Sequence, residues 1–121
     1  MPYLNDEIFD QGLDYATTNG TRIDICSSEP ATYAAVAGVS LGNKTSASVG
    51  VTEDGDANGR KVVVAAVTDG SVTGTGTATH YAITDAASIL VATGALSASQ
   101  AVTSGNTFTL AAFDLAIADA T

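Results

Sequence analysis

The sequence predicts an all-β protein: a single antiparallel β-sandwich or barrel, Ig-like or jelly-roll-like in plan, with a short N-terminal helix or arm. Three observations carry this. After Gly20 the apolar residues follow the two-residue period of strands. Six to eight such runs follow one another at roughly 8- to 12-residue spacing. Gly-rich turns separate them, and no period of roughly 20 to 50 residues marks a solenoid. At 121 residues the chain fits one domain, which buries roughly two thirds of the surface its unfolded form exposes. Residues 1–20 are expected to form the arm or helix, and residues 21–121 the β domain.

Asn5 is a helix cap, Asp6 and Glu7 suit the positive helix end, and Asn19-Gly20 is a stop signal. Ile8, Phe9, Leu13 and Ala16 make a modest apolar stripe between them. It fits a helix packed on its own domain or an arm docked on a neighbouring subunit. "TRIDICS" alternates, with Ile23 and Ile25 on one face and Arg22, Asp24 and Cys26 on the other. Residues 28–45 are aperiodic and read as a long connection with room for a strand at "VSLG". "KVVVAAVT" is apolar on both faces, as a central strand covered on both sides would be. "DGS" at Asp69 to Ser71 reads as a turn. "VTGTGTATHYAIT" places Thr73, Thr75, Thr77, Thr79, Tyr81 and Ile83 on one face. "SILVATGAL" is a further strand, and "SGN" at Ser104 to Asn106 a hairpin turn. "AFDLAIA" puts Phe113, Leu115 and Ile117 inward and Asp114 outward.

Charge bounds the function classes. Thirteen acids against four bases give a net charge of −9, which repels nucleic-acid backbones and anionic lipid. All four bases (Arg22, Lys44, Arg60, Lys61) precede Val62, after which only Asp69, Asp85, Asp114 and Asp119 are charged. A half so poor in charge either forms most of the core or faces another protein. The uncharged run of residues 86–113 is long enough for a membrane helix. Its Ser, Thr, Gly, Asn and Gln deny it the sustained apolar character such a helix requires. The first ten residues lack a basic segment followed by an apolar core, so no secretory signal is expected and synthesis is expected in the cytoplasm. Cys26 is the only cysteine. That excludes an intrachain disulfide and fits a small buried hydrophobe.

Two constellations invite chemistry. In "EDGDANGRKVVV", Asp54, Asp56, Asn58 and Gly59 fit the opening of a calcium loop. The final bidentate Glu of such a loop falls on Ala65, and Arg60 and Lys61 bring positive charge beside the cation. The stretch is therefore expected to be a turn with left-handed glycine, and no cofactor is expected. His80, the single histidine, stands in a strand pattern with no G-x-S-x-G elbow, and "TGTGTAT" has the wrong spacing for a dinucleotide fingerprint. No catalytic residue is expected. The Thr run has one T-x-T ladder, which suits a half-exposed strand face.

The succession "RIDICSSEPATY", "SLGNKT", "GRKVVVAAVTDGSVTGTGTATHYAI" and "LVATGALSASQAVTSGNTFTLAAFDLAI" resembles small β-rich virion structural proteins of tailed bacteriophages and prophages. It covers residues 21–118. The resemblance implies a non-enzymatic capsid decoration, or cement, protein that binds the outer surface of the mature head. The partners it implies are the major capsid protein and neighbouring copies of the chain. A trimer would suit local threefold axes, though nothing in the sequence encodes three. No nucleic-acid or membrane partner is expected. Tyr3, Leu4, Ile8 and Phe9 are the candidate arm contacts, and Thr75, Thr77, Thr79 and Tyr81 a candidate β-face contact. The alternative is a head-fibre, tail-fibre or adhesin-type module for receptor glycan. Glycan sites stack sugars on aromatics, and this chain has no Trp, four Tyr and three Phe.

Overall fold

The computed structural model describes residues 5–55 and 59–117. Helix α1 (Asp6–Asn19) is capped by Asn5, whose side chain accepts the Glu7 N–H at 2.8 Å. Gly20 closes it by donating its N–H to the Ala16 carbonyl. Leu13 and Ala16 are buried, whereas Ile8 is 57% exposed. Then come β1 (Arg22–Cys26), α2 (Tyr33–Val39), β2 (Ser40–Lys44), β3 (Glu53–Asp54), β4 (Arg60–Val64), β5 (Val67–Val72), β6 (Gly76–Thr84), β7 (Leu90–Val102), β8 (Thr107–Leu110) and β9 (Phe113–Ile117). The all-β class expected from the sequence holds. One sheet has the order β7-β6-β1-β2-β5-β8 and the other β3-β4-β9. The larger sheet is antiparallel and curls into a half-barrel.

The two sheets are joined by one bent ribbon. Strand β4 pairs with β9 from Arg60–Ile117 to Val64–Phe113, and β5 pairs with β8 starting at Val67–Leu110. The register is the same on both sides of the break. The ribbon therefore bends as a unit at Ala65-Ala66 and Ala111-Ala112, four exposed alanines. Strands that bend from one sheet into another make the corners of barrels and orthogonal sandwiches. Small side chains leave room for the bend.

Strand β1 is the central strand, covered on both faces. Ile23 and Ile25 enter the main core with Leu13, Val62, Val64, Ile83 and Phe108. On the opposite face Cys26 and Ala82 pack with Val36 of α2. Asp24 lies on that face too and is fully buried. It accepts from Arg22 Nε at 2.8 Å, Arg22 Nη2 at 3.1 Å and Ser40 Oγ at 2.7 Å. Every buried side-chain nitrogen and oxygen among the described residues has a partner, as low-dielectric burial demands.

Several sequence expectations change. "KVVVAAVT" is two strands in different sheets, because Ala65 and Ala66 sit at the bend. "DGS" lies inside β5. Gly70 stands opposite Phe108, and a Cβ there would meet the ring at 2.2 Å. The glycine serves close packing rather than a turn. "SGN" does turn, with Gly105 at φ 93, but it connects strands on opposite edges of the sheet. Its N–H and carbonyl groups bond Val72 at the end of β5. Residues 28–45, read as a connection with room for a strand at "VSLG", hold that strand as β2, two residues longer at its end, and also α2, which was not expected. Thr32 caps α2 by accepting the Ala35 N–H, and only Val36 of that helix is buried, so no apolar period reveals it. Thr73 to Thr75 precede β6, and the N–H groups of Thr73 and Gly74 both bond the Leu41 carbonyl.

Replacing Gly70 by Ala is expected to cost about 1–3 kcal/mol through overpacking against Phe108. Gly38→Ala, in α2 with nothing within 4 Å of the added carbon, is expected to leave stability unchanged or raise it by about 0.5–1 kcal/mol. Denaturant titration of the pair checks both. In the same assay Asp24→Asn is expected to cost about 3 kcal/mol, the lower end for breaking a buried pair, because Arg22 is partly exposed.

Candidate functional site

Residues 53–55 and 59–61, on either side of the acidic loop's centre, lie antiparallel. Glu53 pairs with Lys61 and Asp54 with Arg60 across β3 and β4. The Gly55 N–H bonds the Gly59 carbonyl at 3.0 Å, and Gly59 adopts φ 72. This is the left-handed turn glycine expected there. The Arg60 guanidinium already occupies the cation's place beside Asp54 and is shared with Asp10. Asp56 and Asn58 lie outside the described residues. Among the described residues no three His, Cys, Asp or Glu side chains gather as metal ligands.

The fold brings three chemically active residue types together under α2. Cys26 stands directly opposite His80 across β1 and β6. Opposed residues of an antiparallel pair share a face, and Asp24 shares it two residues away. The Thr79 hydroxyl donates to the Ser27 carbonyl at 3.0 Å. Its oxygen is also 2.9 Å from His80 Nδ1. The thiol, however, is wholly buried. Burial, and then the Asp24 charge, push it up to about 12. A nucleophilic cysteine needs the opposite surroundings. The cluster packs.

The predicted contact residues scatter. Tyr3 and Leu4 lie outside the described residues, as does the side chain of Phe9. Ile8 is exposed on α1. The Thr75 hydroxyl accepts the Ser104 N–H at 3.1 Å and Thr79 is tied to Ser27, while Thr77 is exposed. Tyr81 is half-buried, and its ring lies 4.4 Å from that of Phe113. Of these four, Thr75 and Thr77 are exposed and Thr79 and Tyr81 partly buried.

A different surface does stand out. Strand β7 is an edge of the large sheet, while β8 and β9 are the edges reached by the bent ribbon. These edges run side by side in opposite directions without strand pairing. At one end Gln100 Nε2 spans the seam to the Thr109 carbonyl at 2.9 Å. Beyond it the seam opens into a groove of about 340 Å³ between residues 95–100 and 110–114. A second groove, of about 540 Å³, is walled by β7, Leu115, Ile117 and the Leu13–Ala16 side of α1. Tyr81 lines both grooves, and Phe113 lines the first. Tyr81 fits because its cross-strand neighbour is Gly94, where a Cβ would stand 2.7 Å from the phenol oxygen. Burial raises the Tyr81 phenol. Tyr15 and Ile89 are exposed among the groove-lining residues.

Charge is nearly absent from this seam. Strand β7 contains none, and Asp114 of β9 is tied to Lys61 Nζ at 3.2 Å. Edge strands are normally guarded by charge, Pro or a bulge. Here only bulges are present, one where residues 96–99 stand against Thr79 and one at Val91, between the Ile83–Ala92 and Thr84–Leu90 pairs. The arrangement offers unpaired backbone N–H and C=O groups between apolar walls, the chemistry that recognises an extended chain. The uncharged run of residues 86–113 was the signal for it, because that run supplies both β7 and β8. No family model, curated protein or solved structure matches this chain.

Because the thiol is raised in the folded state from 9.0 to about 12, the protonated form is the one folding favours. Its contribution is whole below about pH 9 and lost as pH rises towards about 12. Stability is expected to fall across that window, and Cys26→Ala to flatten the fall, leaving the part due to Tyr81. Chemical unfolding at a series of alkaline pH values measures this. A thiol reagent at neutral pH is expected to label Cys26 only after unfolding.

Proposed function

We propose that this chain is a non-enzymatic structural protein of a tailed-phage particle, a capsid decoration protein on the outer surface of the mature head. The observation that carries this reading is the segregation of charge: an acidic molecule with one long, uncharged sheet edge. Each of its four bases is held by an acid of the same chain, in the pairs Arg22–Asp24, Lys44–Asp69, Arg60–Asp10 and Lys61–Asp114. Long-range attraction to nucleic acid is thereby weakened further. An outer position keeps so acidic a protein away from packaged DNA, and assembly in the host cytoplasm requires no disulfide. The half-barrel, closed at one point by Gln100, fits an opened version of the expected sandwich or barrel.

The mechanism is mechanical. A domain that binds adjoining capsid subunits only in the expanded shell stabilises that shell by mass action. The receptor-glycan alternative draws less support. Among the described aromatics Tyr15 alone is largely exposed, which makes a poor stacking platform.

Mass spectrometry of purified particles, with copy number measured relative to the major capsid protein, tests the proposal. A copy number comparable with that of the capsid protein is the expected result. A few copies per particle, or none, overturns it.

A further inference from the structure

We propose that the Asp85 carboxylate is an acid-sensitive latch on the loop between β6 and β7. Charged, it holds residues 85–89 closed; protonated, it releases them as a local unit while the strands stay folded. This stands apart from the shell reading and concerns the free protein.

Little else holds the loop. Residues 86–89 are exposed, so apolar burial contributes little there. Two bonds, from the Asp85 N–H to the Ile89 carbonyl and from the Ala86 N–H to Thr84 Oγ1, are each 3.2 Å long. Asp85 Oδ1, by contrast, accepts three successive N–H groups: Ala87 at 2.9 Å, Ser88 at 2.8 Å and Ile89 at 2.9 Å. Gathering three donors on one oxygen suits a full negative charge, and bonds to an ionised acceptor are stronger than neutral ones. The backbone pulls the other way. Ala86 sits at φ 64, the one left-handed non-glycine residue among those described, where its Cβ crowds the following carbonyl oxygen. Strain and charge are opposed within five residues, and the carboxylate decides the balance.

Backbone groups set its titration. The N–H groups of Ile89, Ser88 and Ala87 hold the Asp85 carboxyl below the usual carboxylate range. On β1, Arg22 stands opposite Thr84 but is bound to Asp24. Across the groove that Ile89 lines, Asp114 is tied to Lys61, and Tyr15 and Tyr81 carry phenols. A carboxyl lowered by closure favours the closed loop fully above about pH 4, and that preference is lost as pH falls further. Ile89 is both the last residue held and part of the wall of the larger groove. The latch therefore also fixes that end of the groove.

Amide hydrogen exchange, followed by NMR on the full chain, tests the latch, with the Ile23 and Ile25 amides of β1 reporting on the strands. Protection of the Ala87, Ser88 and Ile89 amides is expected to fall at least about tenfold between about pH 6 and about pH 2, while Ile23 and Ile25 keep theirs. Asp85→Asn retains an acceptor oxygen without the charge. It is expected to lower the three protections by a similar factor already at about pH 6, and to remove their dependence on pH, with circular dichroism unchanged. A variant as well protected as the natural chain at that pH overturns the proposal. So does a loss on acidification that β1 shares equally.

Discussion

The rest of the structure depends on one constraint, the register that the ribbon formed by β4–β5 and β8–β9 keeps across its bend. Val64 opposes Phe113 before the bend, and Val67 opposes Leu110 after it. A slip of one residue would turn every side chain of the pair to the wrong face. Because the ribbon belongs to both sheets, its register places Val62 and Val64 against α1 and β1. The same register places Leu110 inside the curled sheet, and a shift between Val67 and Gly70 then brings Phe108 opposite Gly70. The bend needs small residues on both strands at once, and Ala65-Ala66 and Ala111-Ala112 supply them.

The second organising element is β1, buried on both faces with a carboxylate on one of them. Asp24 is tolerable because its oxygens meet Arg22 and Ser40. Pairs of this kind contribute little net stability compared with well-packed apolar residues, but leaving one unpaired is costly. The consequence for chemistry is negative. The same burial, together with the Asp24 charge, keeps the Cys26 thiol protonated beside His80. Proximity of suitable residue types is therefore not a catalytic arrangement.

The surface is sorted as clearly as the core. Among the described residues the exposed acids lie on α1, on the β3–β4 hairpin, in loops and singly in β5 (Asp69) and β9 (Asp114), and the bases are held by acids of the same chain. The uncharged strands β7 and β8 form the two edges of the large sheet. An edge carries unmet backbone hydrogen-bonding groups, and charge is the usual guard against pairing with other chains. That guard is missing along the longest described strand, β7.

The amino-acid sequence determined the all-β class, the capped helix at Asn5, the alternation in β1 and β9 and the glycine turn at Gly59. Each rests on neighbours a few residues apart, where periodicity and backbone conformation are decided locally. It also determined that the second half would be short of charge. The tertiary structure alone decided where "KVVVAAVT" divides, because Ala65 and Ala66 look like core until the ribbon bends there. It decided that Gly70 faces the Phe108 ring, a contact across strands far apart in the chain. It hid α2, whose short span buries only Val36 and shows no period. It split the threonines of residues 75–79 by tying two hydroxyls to backbone groups elsewhere. It also placed the uncharged strands at the sheet edges, because strand order depends on long-range pairing that no local pattern records.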